Sequence, residues 1–251
     1  MRTTRLCILI ISLATSVPAS DALASEDNLG IAPIDSKIIT VKTYADLGSE
    51  WWQWAVQAPA TDNPLRDEDG SNCRVGQEGP VWFLAGTLGS GKPTVRSCEV
   101  PGGKAIFFPM INNAYFAFLS DPPEQRTAEF VRERAETDCK SSTIRGLSVT
   151  IDGTRVANPA RFVTTAEQSP IFQAQLPTDN LFGLTESQAP ELLLSPAAHK
   201  GFYLYLKPLP PGNHIIKWTA TWDCIPELGG TLSENITYNL QVLSGVSGQI
   251  E

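Results

Sequence analysis

Residues 83–95, FLAGTLGSGKPTV, contain Gly86-x-x-x-x-Gly91-Lys92, all but the last position of the loop by which many nucleotide hydrolases hold phosphate. In that loop backbone N–H groups cradle the phosphates, the lysine answers their charge, and a hydroxyl directly after it holds magnesium. Here that position is Pro93, with Thr94 one place late. The loop must also open a helix whose N-terminal dipole helps hold the anion, whereas PTVRSCEV has the alternation of a strand. A nucleotide partner is therefore excluded. Gly89, Ser90 and Gly91 are expected to bend a strand-turn-strand unit that ends in Cys98, with Lys92 in solvent.

Three other constellations carry chemistry. Asp67, Asp69, Ser71 and Glu78 stand at the first, third, fifth and twelfth places of a calcium hand. Asn72 replaces the glycine that hand needs for its turn, Cys73 takes the next place, and no amphipathic helix follows. The stretch reads as an Asx-rich turn, with an irregular calcium site on Asp67, Asp69 and Glu78 as the alternative; no other cofactor is indicated. The two histidines, His199 and His214, are too far apart for a helical zinc pair, and no G-x-S-x-G elbow is present. Asp121, Asp152, Asp179 and Asp223 fall at turns or strand ends and are the acids from which a glycosidase pair would be drawn.

Aromatic residues offer binding surfaces. Trp51 and Trp54 share a helical stripe and are expected in the core, whereas Trp52 lies off it and is the ring free to stack on a sugar. Tyr203 and Tyr205 alternate with Phe202, Leu204 and Leu206, which puts both on one sheet face as a binding ledge unless a helix covers them.

The elements that position these residues are mostly strands. VTIDGTRV places Asp152-Gly153 between two β-branched runs, a two-residue hairpin. GFYLYL, HIIKWTATWDC and ITYNLQV alternate with period two and read as an antiparallel meander with one wet face. PVWFLAG and KAIFFPMI are apolar on both faces, as central strands or strands under a helix are. RFVTT and PIFQAQL add strands, and Lys37–Val41 adds one at an edge. Thr43 is placed to cap a helix over residues 44–57, and a second is expected within PPEQRTAEFVRERAETDC. The fold class is mainly β: an antiparallel β-sandwich or jelly-roll-like domain with two or three peripheral helices and two disulfides.

Arg2 and Arg5, the apolar run Leu6–Val17 and Ala22-Leu23-Ala24 form a secretory signal peptide over 1–24. A lead segment, 25–42, and a single domain, 43–251, follow. Cleavage removes Arg2, Arg5 and Asp21, taking 19 basic and 27 acidic residues to 17 and 26, a net charge of −9. An acidic chain without a basic cluster gains nothing from counterion release, which excludes nucleic acid, and it is repelled by anionic membranes. No later run is apolar enough to span a bilayer. The expected setting is secreted or periplasmic, where Cys73, Cys98, Cys139 and Cys224 are oxidised. Of the three pairings, Cys73 with Cys98 and Cys139 with Cys224 is favoured, because the first two flank one local stretch and the others lie outside it.

The strings WWQWAVQAPATDNPLRDEDGSNCRVGQEGPVWFLAGTLGSG, RSCEVPGGKAIFFPMINNAYF and LKPLPPGNHIIKW resemble a family of secreted bacterial proteins of unknown function. The resemblance covers residues 43–243 and implies a bacterial periplasmic or extracellular setting, with no reaction, cofactor or catalytic residue attached. The functional expectation is a non-enzymatic binding module of the envelope or extracellular space, with a glycan or envelope component as partner. The alternatives are a carbohydrate-active hydrolase or lyase using paired carboxylates, and a structural or assembly subunit.

Overall fold

The computed structural model describes residues 29–34 and 42–244. The signal peptide, most of the lead segment and the edge strand expected at Lys37–Val41 lie outside the described residues. In chain order the elements are α1 (Tyr44–Gln57), β1 (Val81–Phe83), β2 (Thr94–Val100), β3 (Ala105–Phe118), α2 (Ala128–Thr137), β4 (Cys139–Ile151) and β5 (Thr154–Arg155). There follow β6 (Val163–Thr164), β7 (Phe172–Gln175), β8 (Leu193–Leu206), β9 (Gly212–Cys224) and β10 (Thr231–Val242).

The strands form two five-stranded sheets, one ordered β1-β3-β8-β6 with β7 also on β8, the other β2-β10-β9-β4-β5. Pairing is antiparallel except at two edges, where β1 runs parallel to β3 and β2 parallel to β10. The fold is thus the expected mainly β, two-sheet, disulfide-linked architecture with two α-helices. Cys73–Cys98 and Cys139–Cys224 are the bonds.

Local chemistry explains the elements that matter most. The Thr43 hydroxyl accepts the Asp46 N–H at 3.2 Å, and the Asp46 carboxylate accepts the Thr43 N–H at 2.8 Å, a capping box that fixes the start of α1. At the β4–β5 hairpin Asp152 and Gly153 both adopt positive φ, 50° and 78°, as the predicted two-residue turn requires. In β9 and β10 every second residue is buried, Ile216, Trp218, Ala220 and Trp222 on one and Ile236, Tyr238, Leu240 and Val242 on the other. These rows meet the first sheet through Phe108 on Trp218, with ring centroids 4.7 Å apart, and Phe202 on Trp222, 5.6 Å apart.

Three expectations are corrected. GFYLYL is not part of a meander: β8 belongs to the first sheet and β9 to the second. Pro208, Pro210 and Pro211 between them lack the N–H a ladder needs, so the chain leaves one sheet and enters the other. Nor is the 83–95 stretch a hairpin, since β1 and β2 lie in different sheets and residues 84–93 carry the chain across. The bend at Gly89–Gly91 is there, but it pairs with β10: Gly91 donates to the Ser233 carbonyl at 2.9 Å and Ser233 to that of Gly89 at 3.0 Å.

The third correction concerns Tyr203 and Tyr205, which are 0% and 3% exposed. Their face of β8 is roofed by α1. Tyr203 stacks on Phe107 at 5.3 Å, and the Tyr44 hydroxyl of α1 accepts the Tyr205 N–H at 3.2 Å while donating to the Ala32 carbonyl at 2.7 Å. The even face of β8 meets the second sheet, so the strand is dry on both sides and offers no ledge.

Candidate functional site

His199 of β8, fully buried, lies against α1 at Ala45 and Gly48. Its Nε2 lies 2.9 Å from the Ala45 carbonyl of α1, which can only accept, so Nε2 carries the proton and Nδ1 accepts from the Tyr203 hydroxyl at 2.9 Å. Burial pushes the His199 pKa down to about 4 and keeps the ring neutral. Burial likewise raises the Tyr203 pKa, keeping the hydroxyl a donor. The Asn112 side-chain amide reaches the Tyr203 oxygen at 3.5 Å, so the polar line runs from α1 through His199 and Tyr203 to β3.

Asn112 stands in the wall of a cavity of about 300 Å³. On one side the cavity is bounded by Ile111–Ala114 and Phe116 of β3 with Trp51 and Trp52 of α1, and on the other by Leu232 and Glu234 of β10. Thr87–Gly89, Leu65, Leu228, Leu181 and Phe182 close its ends. Phe182 and Leu88, at its rim, are two of the few large apolar side chains exposed to solvent, at 46% and 56%. Trp52 is half-buried and packed against the core, less open than a ring free in solvent, while Trp51 and Trp54 are buried. Edge-on contacts hold Trp52 between Trp51 at 5.2 Å and Phe116 at 5.6 Å. Its buried Nε1–H has no hydrogen-bond partner among the described residues.

Glu234 is the cavity's acid, 8% exposed. Burial raises its pKa to about 7, against the opposing pull of hydrogen bonds from Thr87 and of the Arg96 charge. Both carboxylate oxygens take the Thr87 N–H at 3.0 Å, and Oε2 also takes the Thr87 hydroxyl at 2.9 Å. Gly86 permits this approach: a Cβ there would stand 2.9 Å from Glu234 Oε1. Arg96 of β2, fully buried, pins the same loop by donating to the carbonyls of Ala85 at 2.6 Å, Gly86 at 2.9 Å and Asp67 at 2.7 Å. The loop that looks made for phosphate therefore presents its amide to a carboxylate of its own chain. The signal for Glu234 is in the sequence: it sits two residues before Ile236, on the inward face of the same alternating run.

The calcium cage is not assembled. The Asp67 carboxylate accepts the N–H groups of Asp69, Gly70 and Asn72 at 3.2, 2.8 and 3.1 Å, and Asp69 accepts that of Ser71 at 3.0 Å, the Asx turn of the simpler reading. Glu78 is exposed and lines a separate open groove with Trp54 and Phe83. Among the described residues no three His, Cys, Asp or Glu side chains are grouped to hold a metal ion. His214 is likewise tied up: Nδ1 lies 2.7 Å from Asp152 and Nε2 2.9 Å from the Pro210 carbonyl.

An apolar cavity with ring edges, amide groups and one acid can hold a small molecule by its body and orient it by a few polar contacts. No family model, no curated protein and no solved structure matches the chain.

Proposed function

We propose that the protein is a non-enzymatic binding module of the bacterial envelope or extracellular space, and that the cavity between β3, β10 and α1 is its ligand site. The observation that carries this reading is the open, largely apolar cavity of about 300 Å³ whose rim leaves Phe182 and Leu88 in solvent, where a bound ligand would cover them. The two disulfides support an oxidising compartment. The hydrolase alternative calls for two carboxyl groups facing each other across a cleft, and the lining of this cavity supplies one, Glu234.

A glycan is the second reading of the same site. It is favoured by the combination of Trp52, Phe116 and Phe182 with the Asn112 and Asn113 amides, which together match the C–H face and hydroxyl edge of a sugar ring. A thermal-shift screen of small apolar compounds and a glycan array, each repeated with Phe182→Ala, test the proposal. The expected result is a raised melting temperature for at least one class, lost or reduced in the variant. Blank screens, or a ligand indifferent to Phe182→Ala, would overturn it.

A further inference from the structure

We infer that the ligand of this cavity is an organic cation, a protonated primary or secondary amine carried on a compact apolar body. The inference rests on the reading of the cavity as a binding site and names the chemistry it selects. Glu234 is the single charged side chain in the described lining, which holds no Lys, Arg or His. In a lining otherwise without charge, that carboxylate favours a cation over an anion.

A second observation points the same way. Asn113, 4% exposed, donates its amide nitrogen to the Ala135 carbonyl at 3.2 Å, which fixes the orientation of the amide. Its Oδ1 is then a buried acceptor without a partner, on a residue that contributes to the lining of the same cavity. A buried acceptor left unpaired costs free energy, and an ammonium ligand brings N–H donors, where an anion brings none, to a lining with one unpaired acceptor and one carboxylate. The rings of Trp52, Phe116 and Phe182 attract cations through their quadrupoles and bury the apolar body. Arg96, from β2, bears on Glu234 with the opposite charge and offsets part of this preference, but it lies outside the lining.

The test is calorimetric titration of the full chain with 2-phenylethylamine, the neutral 2-phenylethanol and the anionic 3-phenylpropanoate. At pH 8 the amine is expected to bind at least about tenfold more tightly than the alcohol, and the carboxylate not at all. An alkylamine stays protonated at both pH 8 and pH 6. Glu234 titrates near 7, so amine affinity is expected to fall about tenfold between them. Glu234→Gln should abolish both the preference and the pH dependence, whereas Phe182→Ala should weaken amine and alcohol alike. Equal binding of alcohol or carboxylate would overturn the cation inference and leave the binding site standing. Failure of all three probes would also overturn it, and the site itself falls only if the fragment and glycan screens are blank as well.

Discussion

The Glu234 carboxylate and the Thr87 backbone N–H meet at 3.0 Å across 147 residues of sequence. A glycine-rich loop is thereby closed on an acid held in an apolar wall, and the acid prefers its proton: its pKa is raised to about 7 by burial. For a carboxyl group raised above its unfolded value, the stabilisation is complete below the unfolded pKa and is lost as pH rises through the folded one. Glu234→Gln mimics the protonated form. Its stability relative to wild type should therefore climb between pH 5 and pH 8, by up to about 3 kcal/mol. Urea unfolding at the two pH values measures this, and a gap that does not change with pH would refute the assignment.

His199 works in the opposite sense. Its pKa is depressed to about 4, so the neutral ring contributes stability above the ordinary histidine value that is lost as pH falls from there toward 4. Between about pH 4.5 and 6.5 the two groups offset each other, and wild type should show a shallow pH profile. In His199→Gln the offsetting contribution is gone, leaving a net decline in stability as pH rises through this window. Unfolding curves collected across it give the slope; an unchanged slope would mean that His199 is charged or hydrated in the fold.

Gly48 lies mid-helix, where alanine ordinarily stabilises by about 1 kcal/mol. Here the sign should reverse. A Cβ at Gly48 would overlap the His199 ring, and overpacking of this kind costs about 1–3 kcal/mol. Gly48→Ala should therefore destabilise, and the same substitution in a His199→Ala background should cost much less. A double-mutant cycle by denaturant unfolding provides the coupling energy.

The disulfides should differ in weight. Cys73 and Cys98 are 25 residues apart, Cys139 and Cys224 85 apart. Loop-closure entropy alone assigns about 3.5 kcal/mol to the first and about 4.5 kcal/mol to the second. Cys139→Ser/Cys224→Ser is thus expected to be the more damaging double substitution, in melting temperature and in yield of folded protein. Equal losses would show that the larger loop is already restrained in the unfolded chain.

His214 is set apart from His199 by its partner. Partial burial opposes its charge, but hydrogen bonds to Asp152 and the Pro210 carbonyl outweigh it and raise the pKa above the usual histidine value. Asp152→Asn should bring that pKa down, as read from the imidazole proton shifts in an NMR titration. A pKa indifferent to the substitution would leave the Asp152 contact without electrostatic weight.

Features set by neighbours along the chain were legible in the sequence. The Thr43 cap, the Asp152-Gly153 turn and the alternation of β9 and β10 each depend on residues within a few positions. What escaped depends on partners far away. Period two says that Tyr203 and Tyr205 share a face, but not that the Tyr44 hydroxyl, 161 residues earlier, closes over it. The Gly86–Gly91 motif shows that the backbone must come close to something; that the something is Glu234 follows only when β10 lies beside the loop. The candidate site escaped for the same reason: the alternation of β10 carries the signal for an inward Glu234, but only the fold brings it to the same cavity as Trp52.

The position of β10 has a consequence for biogenesis. The last of the described strands lies inside its sheet, with β2 on one side and β9 on the other, and it also carries the acid that closes the Gly86 loop. Until it arrives, two strand edges stay open and a buried arginine faces a half-built pocket. A chain cut before Thr231 would thus be a sticky, protease-sensitive species rather than a smaller stable protein. For this fold, the arrival of β10 is the step at which the second sheet closes and resistance to degradation is gained.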